Sequence, residues 1–220
     1  MMIMTFTPDL YDLIRPGIQE SAAVLVPYLS HWLRTNGHTV NSVVDVGCGE
    51  GWWGRTFLET GNAKRVVGVD GAFGGDALAE LSQASFKACD LSEEFWHSSL
   101  GYHDLAVCLE VAEHLPNPVR LIDELVRVAP VVVFSAAIPD QPGAGHISCR
   151  WQHEWSDLFH QRGWRTTAEP FRRQEVWADQ RIAWWYRQNG FVAWRRPTTL
   201  DHVDEPVMSC VHPDFWAVRR

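Results

Sequence analysis

Three groups of residues have types and spacings suited to chemistry. Glycines alternate at Gly47, Gly49 and Gly51, directly after the apolar run Val43-Val44-Asp45-Val46 and before a helix-compatible segment that begins at Trp52. Bare backbone lets a small molecule lie against the chain; a Cβ there would hold it off or forbid the positive φ of a tight turn. A helix behind such a loop aims its unpaired N–H groups at the same ligand. Acids form the second group: Asp45 and Glu50 flank the loop, and Asp70, Asp90 and Glu110 each follow a short run expected to be a strand. The third group is Glu113-His114 together with His146. A histidine near its ordinary pKa of about 6.5 accepts a proton at neutral pH without special tuning. The bland alternatives are a structural imidazole at 114, a solvated loop histidine at 146 and a helix-surface acid at 113.

The glycine loop admits two ligands. Gly49 to Gly54 satisfies the G-x-G-x-x-G of dinucleotide binders, and Asp70 lies 21 residues past Gly49, where a ribose-binding acid belongs. Against that, Asp45 and Glu50 would place two carboxylates at the mouth of the loop, a field that suits a cation better than a pyrophosphate. The segment resembles motif I of the class I S-adenosylmethionine-dependent methyltransferases. Val66-Val67-Gly68-Val69-Asp70 is similar to that family's second strand, ending in the acid for the ribose hydroxyls. Cys89-Asp90-Leu91 resembles its adenine-contacting turn, and Leu109-Glu110-Val111-Ala112-Glu113-His114-Leu115-Pro116 resembles the signature after strand four in small-molecule members.

The resemblance implies S-adenosyl-L-methionine as cofactor and S-adenosyl-L-homocysteine as product. It implies a cofactor-binding set of Asp45, Gly47, Cys48, Gly49, Gly51, Trp52, Asp70, Gly71, Asp90, Leu91, Leu109 and Glu110. It also places His114 toward the methyl group, as first candidate for base or substrate contact, with His146 second. Gly145-His146-Ile147, Trp151-Gln152-His153-Glu154-Trp155 and Trp184-Trp185-Tyr186-Arg187-Gln188-Asn189 are similar to a bacterial and phage branch, part of which accompanies glycan or small-molecule modification. The implied reaction is in-line O-methylation of a small molecule or glycan with a histidine as general base. Two readings stay open: a cofactor-binding partner subunit without catalysis, and a dehydrogenase using a nicotinamide dinucleotide. A DNA amino-methyltransferase is disfavoured, because no Asn/Asp-Pro-Pro-aromatic motif follows the fourth strand.

These residues need strands to carry them. Short apolar runs at 43–46, 65–69, 84–88, 104–109 and 131–136 alternate with helical spacings at 52–59 and 117–128, the pattern of a parallel sheet. The glycine-rich turn 71–75 becomes helical through 81. Further strands are expected at 166–171 and 190–195, with helices at 151–159 and 179–188. The fold class is therefore α/β: a Rossmann-like, seven-stranded, mostly parallel sheet with helices on both faces. Residues 9–35 have helical spacing broken by Pro16-Gly17, which predicts two helices ahead of the sheet. One domain is expected, with N-terminal helices to about residue 36, a cofactor-binding half over 37–137 and a substrate-side half over 138–220.

Composition limits the partners. A chain of 220 residues with 46% hydrophobic content can bury a full core. Its net charge of -8 opposes binding to a nucleic acid backbone, where neutralising phosphates supplies most of the affinity. Five scattered cysteines without a C-x-x-C pair argue against a disulfide framework and fit a reducing cytosol. Residues 1–10 lack a leader pattern and no run reaches the length of a membrane span, so a cytoplasmic, soluble chain is expected. His146, His153, Glu154 and Asp140 are near neighbours in sequence, but their spacing matches no zinc pattern and no metal is assigned. Eight of twelve tryptophans fall after residue 150; core packing accounts for most, with a ring-stacking platform as the alternative.

Overall fold

The computed structural model describes residues 8–71, 74–93, 96–195 and 206–218. The expected absence of a leader at 1–10 rests largely on residues outside the described ones, as do Ala72 and Phe73 of the glycine-rich turn. Seven strands form one sheet: β1 (Ser42–Val46), β2 (Arg65–Asp70), β3 (Ala84–Ala88), β4 (Leu105–Leu109), β5 (Val131–Ser135), β6 (Trp164–Thr167) and β7 (Phe191–Arg195). Their order is β3-β2-β1-β4-β5-β7-β6, with β7 antiparallel to both neighbours and the remaining pairs parallel. Among the described residues, eight α-helices flank it: α1 (Pro8–Thr35), α2 (Trp52–Glu59), α3 (Pro118–Val128), α4 (Gln152–His160), α5 (Glu169–Arg172), α6 (Gln174–Trp177), α7 (Trp184–Asn189) and α8 (Pro213–Ala217).

The apolar runs in the strands serve two cores at once. Side chains alternate across a strand, so Val43, Leu105, Val131 and Val133 join Leu25, Leu33 and Phe57 on the face covered by α1 and α2. Val44, Ala106, Val132 and Phe134 join Leu121, Leu125, Trp155 and Phe159 on the face covered by α3 and α4. Continuous burial of β5 follows from this double cover. Trp155, Trp164 and Trp194 are core residues, whereas Trp151 keeps 37% of its surface exposed.

Four expectations from local pattern need correction. Residues 9–35 form one helix with Pro16 and Pro27 inside it, not two. An interior proline costs about 3 kcal/mol. Burial of Leu25, Val26, Leu29 and Leu33 on one stripe gives roughly 1.5–3 kcal/mol for each side chain, which outweighs that cost. Strand β6 covers Trp164–Thr167, earlier than residues 166–171, because Pro170 lacks an N–H for the ladder and sits instead in the first turn of α5. The helix expected at 179–188 is confined to α7. Asp179 Oδ1 accepts the backbone N–H of Arg181 at 3.0 Å, a turn that competes with helix. The helical stretch expected before Leu81 shrinks to a single 3-10 turn, Asp76–Leu78.

Candidate active site

Strand order reverses between β1 and β4, and the carboxyl ends of these two strands open a crevice at the switch point, where ligands bind in open α/β sheets. Gly47, Gly49 and Gly51 follow β1 with φ of +71°, +56° and +93°, all in the left-handed region that glycine adopts cheaply. The close approaches differ: a Cβ on Gly47 would lie 2.3 Å from Val111 Cγ2, and one on Gly49 would lie 1.5 Å from Tyr11 Oη. Gly47 N and Cys48 N both donate to Val69 O, at 2.8 and 3.0 Å, which ties the loop to β2. Cys48 turns inward and is buried against Gly68. Asp70, at the end of β2, accepts the Gly49 N–H at 2.8 Å.

Two of the flanking acids do not stand at the mouth of the loop. Asp45 is buried, and its Oδ2 accepts the Gly54 N–H at 3.0 Å inside the first turn of α2. Burial pushes its pKa up to about 7. Glu50 pairs with Arg15 at 2.5 and 2.7 Å and accepts from Trp52 Nε1 at 2.7 Å, so the guanidinium holds its pKa below the usual range and cancels its charge. The field of two bare carboxylates expected there is therefore absent. A different feature disfavours a pyrophosphate: the Gly49 N–H is already given to Asp70.

Tyr11 and Arg15 went unforeseen by sequence reasoning. Both lie in the first turns of α1 and cover the glycine loop, Tyr11 over Gly49 and Arg15 on Glu50. Burial raises the Tyr11 pKa, so its hydroxyl stays neutral beside Asp70. Only the helical spacing of Tyr11, Ile14 and Ile18 hinted that this segment packs inward. Of the remaining cofactor candidates, Trp52 stands beside Glu50 under the Arg55 guanidinium, 5.7 Å from its ring centroid. Gly71 abuts Cys89 O, at 3.0 Å from a built Cβ. Asp90 is exposed after β3 and accepts Ser92 N at 2.8 Å and Ser92 Oγ at 2.6 Å, bonds that lower its pKa. Leu91 turns its side chain into the core, and Leu109 ends β4 half-buried.

Beyond β4 the chain makes a tight turn. Glu110 has φ +56°, a conformation that costs a non-glycine residue on the order of 1–3 kcal/mol. Its carboxylate is held there by Gln141 Nε2 at 2.8 Å and Asn189 Nδ2 at 3.0 Å, while Asn189 Nδ2 also reaches Gln141 Oε1 at 2.9 Å. Neither Gln141 nor Asn189 was a sequence candidate, since nothing in their neighbourhoods signals a contact over such separations. Glu113 is fully buried and accepts the Ala137 N–H at 3.1 Å through Oε1. Burial and the neighbouring Glu110 carboxyl raise its pKa well above the ordinary value.

His114 and His146 come together, with ring centroids 5.0 Å apart. His114 Nδ1 meets Gly145 O at 3.1 Å and His146 Nδ1 meets Gln141 O at 3.0 Å. A carbonyl only accepts, so each Nδ1 carries a proton and each neutral ring has its lone pair on Nε2. Burial, with the neighbouring His146, pushes the His114 pKa down to about 4. His153 and Glu154 lie apart from this pair: His153 Nδ1 meets Ser209 Oγ at 2.7 Å, and Glu154 caps Trp151 N at 2.8 Å.

Comparison with known proteins identifies the frame. Residues 17–195 match the family described as "Methyltransferase domain". The chain is 36% identical over 103 residues to the mitochondrial ubiquinone biosynthesis O-methyltransferase of Dictyostelium discoideum, covering 40% of this chain and 31% of that protein. It thus spans a third to about half of the length of the curated relatives it matches. Its fold is similar to that of magnesium protoporphyrin IX methyltransferase from Synechocystis PCC 6803 with bound S-adenosylmethionine. That likeness has TM-score 0.56 and 21% identity, and covers 86% of this chain and 85% of that one. The plantazolicin methyltransferase BpumL, in complex with S-adenosylhomocysteine, gives TM-score 0.57 at 15% identity, with coverage of 86% and 91%. The dehydrogenase reading falls with this match and with the occupied Gly49 N–H. The chain belongs to the methyltransferase-domain family.

Proposed function

We propose that the protein methylates an oxygen of a small molecule, and that the acceptor hydroxyl binds where Glu113, His114 and His146 converge beside the cofactor loop. The observation that carries this reading is the pairing of two neutral imidazoles with a buried carboxyl, on the strand end adjacent to the glycine loop. The cofactor candidates keep their expected roles in this proposal: the glycines against the methionine part, Asp70 at the ribose, and Asp90 with Leu91 at the adenine. Transfer is an in-line displacement on a carbon already activated by the sulfonium. The protein's tasks are alignment, which supplies up to roughly 7–11 kcal/mol, and removal of one proton from the acceptor.

The relatives named for ubiquinone biosynthesis, magnesium protoporphyrin IX and plantazolicin support a small molecule over a macromolecule. A glycan remains within that class. Burial pushes the His114 pKa down to about 4, which makes it a weak base, so the proton-accepting role is assigned in this proposal to His146. Transfer of labelled methyl from S-adenosylmethionine into a metabolite extract, with mass spectrometry of the product, tests the reading. An O-methylated product that His146→Ala makes about 10²-fold more slowly, at unchanged cofactor affinity, is expected. Labelled nitrogen or carbon would overturn O-methylation, and a silent assay with full cofactor binding would leave a non-catalytic partner.

A further inference from the structure

We propose that Glu113, His114 and His146 bind a divalent first-row transition-metal cation. Among the described residues, one donor atom from each of the three lies within 4.8 Å of the other two. Ligands on an ion with bonds near 2.1 Å stand about 3–3.5 Å apart, so side-chain shifts on the order of 1 Å would close the set. Sequence proximity had grouped His146 with Asp140, His153 and Glu154. The fold instead joins it to the turn after β4, and gives His153 and Glu154 other partners.

Three features separate this cluster from a chance gathering. Both imidazoles anchor Nδ1–H on backbone carbonyls, Gly145 O and Gln141 O, the outer-shell arrangement that fixes a metal-ligating tautomer with the lone pair on Nε2. Glu113 is completely buried, and its Oε2 finds no donor in the protein while Oε1 is bonded to Ala137 N. A buried polar atom without a partner costs about 1–3 kcal/mol, and more if charged, so this oxygen calls for a cation or a proton. Glu110 lies beside it and brings a second carboxyl to the same point. Two nitrogens and a carboxylate suit zinc, manganese, iron or cobalt better than magnesium, and the three-ligand form leaves coordination positions open.

The use of the ion rests on the reading above that the acceptor oxygen arrives here; the site itself does not. With the acceptor oxygen on an open position, the cation acts as a Lewis acid and eases loss of the hydroxyl proton to water, which replaces the proton-accepting role given above to His146, whose Nε2 the ion then occupies. The oxygen's electron pair then forms the new O–CH3 bond while the C–S bond breaks, its pair remaining on sulfur.

The test is titration of the metal-stripped full chain with cobalt(II), followed by visible ligand-field absorption, with a parallel calorimetric titration of S-adenosylhomocysteine. One tightly bound cobalt per chain is expected, displaced by zinc, with affinity weakened at least about 10-fold in His146→Ala and in Glu113→Gln. His153→Ala should match the parent, and S-adenosylhomocysteine binding should persist in His146→Ala, which also shows that this variant folds. No bound cobalt, or cobalt affinity undiminished in His146→Ala, overturns the site. Cobalt bound without any S-adenosylhomocysteine binding would leave the metal site standing and remove the functional reading instead.

Discussion

The two sides of the crevice are built from different material. On the β1–β2 side, recognition surfaces are backbone: three glycines at positive φ, N–H groups tied to Val69 O and Asp70, and a tyrosine laid on Gly49. On the β4–β5 side they are side chains brought from distant segments: Glu110, Glu113, Gln141, His146 and Asn189. A backbone cradle tolerates almost no substitution but suits any chain that holds the same cofactor. A side-chain network can be rewritten residue by residue, as suits the half of the site proposed to face the acceptor.

Substitution at Gly49 should break the first side most completely. Gly49→Val adds a side chain where Tyr11 Oη already lies, at a φ of +56°. Calorimetry is expected to show cofactor affinity down by about 10³-fold or more, equivalent to roughly 4 kcal/mol. Gly61→Ala is the control, since it shares a positive φ but meets nothing within 4 Å. It should cost only about 1–2 kcal/mol of stability and leave affinity alone. Equal effects at the two positions would mean that strain, and not the close approach, explains the loop.

Asp45 sharpens the comparison through pH. Burial raises its folded pKa from 3.8 to about 7, so the folded state holds a proton that the unfolded chain releases near pH 4. Its contribution to stability is full below about pH 4 and is lost as the pH rises to about 7, a change of at most about 4 kcal/mol. Asp45→Asn keeps an acceptor for Gly54 N–H but removes this titration. Thermal denaturation from pH 4 to pH 8 should therefore show a flatter profile for the variant than for the parent. Parallel profiles would place the Asp45 charge in a better solvated site than the one described.

On the other side, Asn189→Ala removes a donor that Glu110 and Gln141 share. A stability loss of about 1–3 kcal/mol and slower turnover are expected, with cofactor affinity unchanged because no backbone of the loop is touched. Weakened cofactor binding in this variant would show that the two sides are coupled through Glu110.

Legibility from sequence followed the same division. The glycine loop, the place of Asp70 at the end of β2 and the positions of strands β1 to β5 along the chain could be read because each depends on local backbone rules: apolar runs, turn residues and the strand-to-helix rhythm. The long reach of α1 was misread, because Pro16-Gly17 signals a break locally while burial along Leu25, Leu29 and Leu33 overrides it. Asp45 and Glu50 were visible as acids, yet their partners, Gly54 N and Arg15, depend on which way each side chain turns. Gln141 and Asn189 left no trace, since the fold alone brings them within bonding distance of Glu110.

The central claim is that the backbone side holds S-adenosylmethionine with Asp70 on its ribose. A calorimetric titration of S-adenosylhomocysteine into the parent chain and into Asp70→Ala addresses it directly. One-to-one binding in the parent, weakened at least about 10-fold in the variant, is the predicted result, a difference of about 1.4 kcal/mol or more. Absence of heat in the parent, or equal affinity in both, would contradict it.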